Sequence, residues 1–307
     1  MTTDAPTPRI AILGAGLIGA AWAALFQHHG ADVRVWDPHP DALAATPARM
    51  AKPLAQLAPD AGPLGSVTLC DTLAEAVTGA DLVQENAPEN IPVKHDLYAQ
   101  VEPFLDDHAV LASSTSALTW SELAPGLQDP ARLITAHPFN PPHLVPLVEI
   151  YGVDADRIAR AEALYRGAGR VPVRLNKDAT GHIANRLASA LWREAVFMVQ
   201  DGIADVEAID AALVNGPGLR WSVLGAHMAY HLGGGAGGMQ GYLAHLGSSQ
   251  ERRWAALGSP TLSPEVQAEL VAGVTREAAG RDIAELEDTR DKALIAALRA
   301  RKDAPHV

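Results

Sequence analysis

The chain contains 307 residues, more than one hydrophobic core usually fills, so we expect two domains. Hydrophobic residues make up 48% of the chain and charged residues 20%, which excludes a disordered or fibrous protein. The formal net charge of -12 opposes binding to nucleic acids and other polyanions.

Neither a membrane span nor a disulfide framework is indicated. The longest apolar run, residues 10–26, is punctuated by glycines and is too short for a spanning helix, so we expect no membrane association. The single cysteine, Cys70, cannot form a disulfide within the chain. We therefore expect a protein of the reducing cytoplasm.

Short runs of β-forming residues alternate with helical stretches through the first half of the chain. Six of these runs are predicted strands: residues 9–13, 32–36, 67–70, 81–84, 109–112 and 132–135. Two further strands are predicted at residues 144–151 and 170–175, on either side of a helix at residues 154–166. Strands separated by helices form parallel sheets with right-handed crossovers, so this half is predicted to be α/β.

Strand signals stop after Lys177, and apolar residues then recur at helical spacing from residue 180 to residue 200. Further helices are predicted at residues 205–214, 221–232, 263–278 and 281–300, and the glycine-rich residues 233–238 are expected to form a flexible turn. The predicted fold class is α/β: a Rossmann-type doubly wound sheet in residues 1–178, followed by an all-helical domain in residues 179–307.

A glycine-rich turn follows the first predicted strand. The sequence GAGLIG supplies Gly14, Gly16, Leu17, Ile18 and Gly19 between the strand RIAIL and an apolar helix. In this context the glycines allow a tight turn, close approach of the backbone to a pyrophosphate, and close packing of helix on sheet. The pattern predicts a dinucleotide-binding loop; a fortuitous glycine turn is the alternative.

Asp37 ends the second predicted strand, 18 residues after Gly19. A carboxylate there can accept hydrogen bonds from the adenosine ribose hydroxyls, and it would repel the 2′-phosphate of NADP. No arginine follows in the sequence PHPDA, so NAD is the predicted cofactor. The alternative for Asp37 is a purely local role in the turn that follows the strand.

The segment AHPFNPPHLVPLVEI, residues 136–150, is dense in histidine and proline. Its prolines can turn the chain so that two strands pair, and a hairpin centred near His143 would bring His137 opposite Glu149. A carboxylate on one imidazole nitrogen fixes the tautomer and leaves the other nitrogen to act as a base. This pair is suited to deprotonating a hydroxyl group; the alternative is a core histidine with a chance glutamate.

These segments resemble the 3-hydroxyacyl-CoA dehydrogenase family, from Arg9 to about Gly238. The resemblance is carried, in chain order, by GAGLIG, ENAPENIPVK, SSTSAL, HPFNPP with the later Glu149, and GHIANR. It implies an NAD-dependent dehydrogenase in which residues 1–178 bind NAD and residues 179–307 bind the substrate and form a homodimer.

The same resemblance assigns roles to individual residues. Glu89, Lys94 and Ser116 would contact the cofactor, and Asn140 would lie near the nicotinamide. Ser116 and Asn185 would hydrogen-bond the reacting oxygen. His137 would be the catalytic base and Glu149 its partner.

Two departures from the thioester-specific members concern the substrate. Residues 41–65 offer only Arg49 and Lys52 to the phosphates of coenzyme A. In GPGLRW, Arg220 stands in a region that is apolar in those members, and a guanidinium matches a free carboxylate in a two-pronged geometry. We expect Arg220 to anchor the carboxylate of a free 3-hydroxy acid; a surface or interdomain salt bridge is the alternative.

The segments LWREA and HLGGGAGGM resemble the branch of the family that acts on carnitine more than the branch that acts on sugar acids, and this resemblance implies L-carnitine as that acid. A quaternary ammonium is bound by aromatic faces, and the candidates are Phe139, Trp192, Trp221 and Tyr230. Ordinary core packing is the alternative for these rings. Other readings are L-gulonate or another 3-hydroxy acid, a short 3-hydroxyacyl-CoA, or an NAD-binding structural or sensory protein without turnover.

Metal binding is not expected from the sequence. His227 and His231 are four residues apart on a predicted helix, but no nearby carboxylate completes a ligand set. Hydride transfer to NAD also needs no metal.

Overall fold

The computed structural model describes residues 7–57 and 62–303. The chain divides into two compact units, Met1–Asn185 and Arg186–Val307.

The first unit is built on one eight-stranded sheet with the order β3-β2-β1-β4-β5-β6-β7-β8. The strands are β1 (Arg9–Leu13), β2 (Asp32–Trp36), β3 (Val67–Leu69), β4 (Leu82–Glu85), β5 (Val110–Ser113), β6 (Leu133–Pro138), β7 (Leu147–Gly152) and β8 (Val171–Arg174). The first six strands are parallel, β7 runs antiparallel to β6, and β8 is parallel to β7. The predicted doubly wound α/β sheet is confirmed.

Helices cover both faces of this sheet. They are α1 (Leu17–His28), α2 (Pro40–Ala44), α3 (Thr46–Leu57), α4 (Leu73–Val77), α5 (Ile91–Val101), α6 (Trp120–Leu123) and α7 (Ala155–Gly167). Because side chains alternate along a strand, Ile10 and Ile12 of β1 enter one core with α1, α3 and α7, while Ala11 and Leu13 enter another with α4 and α5. The parallel strands are thus held between two hydrophobic cores, one on each face of the sheet.

The second unit is entirely helical in its described residues, as predicted. Its helices are α8 (Ala184–Gln200), which begins in the first unit, α9 (Val206–Asn215), α10 (Pro217–Trp221), α11 (Ala226–Gly233), α12 (Gly238–Ala256), α13 (Pro264–Ala278) and α14 (Ile283–Asp303). The buried cluster of this unit consists of Val199, Val206 and Ile209, with partly buried neighbours.

Two local predictions were wrong in this unit. The helix predicted at residues 221–232 begins later, at Ala226 after the N-cap Gly225, because Pro217 starts a separate short helix, α10, that ends at Trp221. The flexible turn predicted at residues 233–238 is a 3-10 turn that leads directly into α12, a helix that the sequence analysis did not predict. A Cβ on Gly234 would lie 1.8 Å from the Gly238 carbonyl oxygen, so the glycines serve close backbone packing rather than mobility.

No helix within the described ranges is long and apolar enough to cross a membrane.

Candidate active site

The glycine-rich loop connects β1 to α1 at the carboxyl edge of the sheet. Gly14 has a φ of 92°, and a Cβ on Gly19 would lie 1.8 Å from the Gly14 carbonyl oxygen, so both positions require glycine. A Cβ on Gly16 would meet nothing within 4 Å, and no side chain caps the helix that starts at Leu17. The first turn, with Leu17 exposed and Ile18 partly buried, therefore leaves backbone N–H groups beside open space, an arrangement suited to an anion.

Asp37 lies directly after β2 and faces this loop. Its Oδ2 accepts a hydrogen bond of 2.7 Å from the Ala15 N–H, and its Oδ1 accepts one of 2.9 Å from the His39 N–H. Arg49, on α3, donates from Nη1 to the Ala15 carbonyl oxygen at 2.7 Å. The sequence analysis had considered Arg49 only for coenzyme A, since 34 residues separate it from the loop that it contacts.

The paired strands β6 and β7 bring His137 opposite Glu149, as predicted. The His137 Nδ1 lies 2.9 Å from Glu149 Oε2, and both side chains are buried. The other carboxylate oxygen, Oε1, accepts hydrogen bonds from the Ile183 and Ala184 N–H groups at 2.7 and 2.8 Å. Burial opposes ionisation of Glu149, but the hydrogen bonds from His137, Ala184 and Ile183 outweigh it and lower the pKa of this carboxyl.

The turn that precedes α8 contributes a second buried histidine. His182 has a φ of 49°, and its ring stacks on the ring of His137 with the centroids 4.9 Å apart. Burial, together with the neighbouring His137, lowers the pKa of His182. The sequence analysis quoted GHIANR without singling out this residue; its only local signal was a histidine placed three residues before Asn185.

Asn185 and Glu89 both contact the segment around Ser116. The Asn185 Nδ2 donates to the Ser116 carbonyl oxygen at 3.3 Å. The Glu89 Oε1 accepts from the Ser116 and Ala117 N–H groups, each at 2.8 Å, and from the Thr115 hydroxyl at 2.7 Å. Despite partial burial, these hydrogen bonds and the charge of Lys94 lower the pKa of Glu89. The sequence analysis quoted SSTSAL without singling out Thr115.

Lys94 is held deep in the unit by a carboxylate that the sequence analysis did not identify. The Lys94 Nζ lies 2.6 Å from Glu85 Oε1 and 3.9 Å from Glu89 Oε2, and the Lys94 side chain is 1% exposed. The hydroxyl groups of Tyr98 and Ser113 donate to the other Glu85 oxygen at 2.7 Å each. Lys94 thus links the buried Glu85 to Glu89 on the loop above the sheet.

Phe139 and Asn140, which follow the end of β6, extend the site beyond that strand. The Phe139 ring meets the His137 ring edge to face, with centroids 6.3 Å apart. Asn140 follows and is exposed. The first unit therefore brings together the predicted residues Ser116 and Asn185, His137 and Glu149, and His137 and Phe139.

Family models match nearly the whole chain. Residues 9–179 match the NAD binding domain of 3-hydroxyacyl-CoA dehydrogenase, and residues 181–269 match its C-terminal domain. The chain belongs to the 3-hydroxyacyl-CoA dehydrogenase family. It is an NAD-dependent oxidoreductase, so the predicted family and the predicted cofactor are confirmed.

Among members of this family, the chain is similar to two proteins named L-carnitine dehydrogenase. It is 42% identical to that of Nocardiopsis dassonvillei, over 97% of this chain and 93% of the relative. It is 41% identical to that of Streptomyces coelicolor, over 98% and 96% of the two chains. A solved structure of 5-formyl-3-hydroxy-2-methylpyridine 4-carboxylic acid 5-dehydrogenase, an NAD-dependent dismutase, matches with a TM-score of 0.84, 28% identity and coverage of 98% and 100%.

Four of the predicted substrate residues, Trp192, Arg220, Trp221 and Tyr230, lie in the second unit, and Phe139 lies in the first. Trp192 is 54% exposed on α8 and lines an apolar groove of about 440 Å³ with Val206, Val271 and others. Arg220 and Trp221, on α10, are exposed, and Tyr230 on α11 packs against Tyr242 with centroids 4.9 Å apart. Within the described residues, the rings of Trp192, Trp221 and Tyr230 do not contact one another.

Proposed function

We propose that the protein oxidises the 3-hydroxyl group of L-carnitine to give 3-dehydrocarnitine, with NAD as the oxidant. The observation that carries this proposal is the buried His137–Glu149 pair, 2.9 Å apart, in the same unit as the dinucleotide loop. Full-length relatives at about 40% identity that are named L-carnitine dehydrogenase support the choice of substrate.

The residues of the first unit fit an NAD molecule. Gly14, Gly16 and Gly19, with the first turn of α1 at Leu17 and Ile18, would hold the pyrophosphate, and Asp37 the adenosine ribose. Glu89, Lys94, Ser116 and Asn140 would hold the nicotinamide half. When bound, NAD accepts the hydride that leaves C3 of the substrate.

His137 would take the hydroxyl proton as the hydride departs. Its Nδ1 faces Glu149, so Nε2 is the nitrogen that receives the proton. Glu149 is held by two backbone N–H groups and stabilises the imidazolium that forms. Ser116 and Asn185 would hydrogen-bond the reacting oxygen, and their contact at 3.3 Å keeps them together.

Substrate choice would depend on one arginine and four aromatic side chains. Arg220 would bind the carboxylate in a bidentate, charge-assisted pair. Phe139, Trp192, Trp221 and Tyr230 would surround the trimethylammonium group, since aromatic faces attract quaternary ammonium ions. Exposure of Arg220 and the two tryptophans leaves their polar and aromatic surfaces available to a ligand.

The test is NADH formation by the purified protein with L-carnitine, with L-gulonate and with L-3-hydroxybutyryl-CoA in parallel. We expect saturable turnover of carnitine only. Turnover of gulonate alone would retain the chemistry of His137 but remove the aromatic cage. Turnover of the thioester alone would also exclude Arg220 as the carboxylate anchor. Tight NADH binding without turnover of any substrate would favour a structural or sensory protein.

We further propose a homodimer assembled through residues 179–307, located in the cytoplasm. The many exposed apolar side chains of the second unit, such as Val271 and Val274 beside the groove, support an interface there. The lone buried Cys70 is compatible with a reducing compartment. Sedimentation of the pure protein as a single-chain species would contradict the dimer.

A further inference from the structure

Three buried side chains of the first unit converge beside the His137–Glu149 pair. His137, Glu149 and His182 each offer one nitrogen or oxygen atom, and these three atoms all lie within 4.8 Å of one another. The three residues are only 5%, 1% and 3% exposed. Two imidazoles and one carboxylate are a donor set that binds zinc in other proteins.

His182 supplies the observation that points to a ligand. Its Nδ1 is buried and has no hydrogen-bond partner among the described residues. Buried polar atoms nearly always have a partner, so an unpaired nitrogen on a ring that stacks on His137 marks a position where a further group can bind. The proposed oxidation gives this nitrogen no task.

We propose that His137, Glu149 and His182 form a binding site for a divalent transition-metal ion such as Zn²⁺, and that the bound ion inhibits the enzyme. Metal binding goes beyond the proposed function, because it does not depend on which 3-hydroxy acid is oxidised, whereas the inhibition rests on the proposed role of His137 as the base. The proposed site shares no residue with the His227 and His231 pair.

The geometry near Glu149 suits such an ion. Metal–ligand distances of about 2.0–2.1 Å in a tetrahedron separate neighbouring ligand atoms by about 3.3 Å. The His137 Nδ1 and Glu149 Oε2 are 2.9 Å apart, so a small widening admits the ion between them. The widest separation, up to 4.8 Å, closes by a movement of the His182 ring, which lies stacked on His137.

Glu149 is already oriented for this role. Its Oε1 is fixed by the N–H groups of Ile183 and Ala184, so Oε2 is directed at His137 and would be the oxygen that binds the ion. Hydrogen bonds that orient a ligating carboxylate are a usual feature of metal sites. The fourth position of a tetrahedral ion would be taken by water.

Inhibition follows from the proton balance on His137. When the ion takes Nδ1, the single proton of the neutral ring moves to Nε2, and no proton leaves the ring. The nitrogen that should accept the hydroxyl proton is then already protonated. The glycine-rich loop supplies no ligand to the ion, so NADH binding is expected to persist.

The experiment titrates the full-length protein with Zn²⁺ and, as a spectroscopic probe, Co²⁺. We expect about one ion per chain after gel filtration and the strong visible absorption of tetrahedral Co²⁺. His182→Asn is the informative variant, because asparagine tolerates the φ of 49° but lacks the imidazole. His227→Gln is the matched control, since it removes a histidine from the other candidate pair.

Loss of one ligand should weaken Zn²⁺ binding at least about 100-fold in His182→Asn and leave it unchanged in His227→Gln. Zn²⁺ should abolish NADH formation by the unaltered protein and by His227→Gln, with recovery on chelation, but not the residual rate of His182→Asn. Unchanged Zn²⁺ affinity in His182→Asn, loss of binding in His227→Gln, or a weak six-coordinate Co²⁺ spectrum would each overturn the proposal.

A second variant, His182→Phe, removes both ring nitrogens but retains a flat ring over His137. NADH binding reports the fold of every variant. If neither His182 variant binds NADH, X-ray absorption of the Co²⁺-loaded unaltered protein decides the question. Two imidazoles and one carboxylate around the ion would support the site, and any other ligand set would overturn it.

Discussion

The two units of the chain differ in the burial of their candidate functional side chains. In the first unit, Glu85, Lys94, His137 and Glu149 are buried, and each is held by hydrogen bonds at a defined position. In the second unit, Trp192, Arg220 and Trp221 are exposed, and the buried cluster is only three residues. The first unit therefore holds its candidate catalytic groups by its own packing, whereas the second leaves its candidate substrate residues exposed.

The largest expected effect tests the fixed chemistry directly. His137→Ala should lower kcat by about 100- to 10,000-fold, because general-base assistance is worth that much, while NADH binding persists. Steady-state rates and NADH fluorescence measure the two quantities. His108→Ala is the matched control: its imidazole also lies near a carboxylate, Asp81 at 3.6 Å, but at the surface. Equal losses in both variants would remove His137 from the mechanism.

The contrast between buried and exposed ion pairs should appear in stability. Glu85→Gln leaves the buried Lys94 ammonium without its counter-charge and should cost about 3–5 kcal/mol of unfolding free energy. Glu207→Gln breaks an exposed pair with Arg276 in the second unit and should leave stability unchanged within error. Urea unfolding measures both, and similar values for the two variants would erase the distinction between the units.

Substitution of exposed residues in the second unit should change substrate binding rather than turnover. Arg220→Met should raise KM for the carboxylate substrate by about 10- to 150-fold, equivalent to about 1.5–3 kcal/mol, through loss of a charge-assisted pair. Arg252→Met, another exposed arginine of that unit, should leave KM unchanged. An unaltered KM in Arg220→Met would exclude the proposed carboxylate anchor.

The aromatic side chains should have a smaller, charge-selective effect. Trp192→Ala should weaken binding of a trimethylammonium substrate by about 2- to 30-fold, from the loss of about 0.5–2 kcal/mol of cation–π attraction. An uncharged analogue of the same shape should lose far less. Equal losses for both ligands would assign Trp192 to packing in the apolar groove instead.

The smallest effect concerns pH and the loop carboxylate Glu89. Because the fold lowers the pKa of Glu89 below its ordinary value of 4.5, its contribution to stability is present above that pH and is lost as the pH falls through the lower folded value. Glu89→Gln should therefore flatten the acid side of a stability–pH curve. Glu251 is an exposed carboxylate of the second unit, so Glu251→Gln should leave the curve unchanged. An unchanged slope in Glu89→Gln would contradict the lowered pKa of Glu89.

Much of the fold followed from local pattern in the sequence. The strands are short runs of β-forming residues between helices, and parallel pairing leaves few arrangements for such a chain. The partnership of His137 and Glu149 could be predicted because a short, proline-rich connection forces neighbouring strands to run antiparallel. Helix α12 escaped prediction because Gly241 and Gly247 lower helix propensity, and its stability comes from packing on α11.

Other features could not be predicted because they depend on contacts between distant segments. Charged residues such as Glu85 and Lys94 usually lie at the surface, and only the folded network shows that they bury each other. Arg49 reaches the glycine-rich loop across 34 residues. The position of the His182 ring depends on a positive φ, which the sequence GHIANR does not predict.

The reversal of β7 also bears on how this site can diversify. The distance between His137 and Glu149 is set by the pairing of two backbones, not by the connection between them. Insertions in residues 139–146 would therefore change the surroundings of His137 without changing its distance from Glu149. Related chains that share these two strands could therefore differ in the connecting loop while the distance between His137 and Glu149 stays the same.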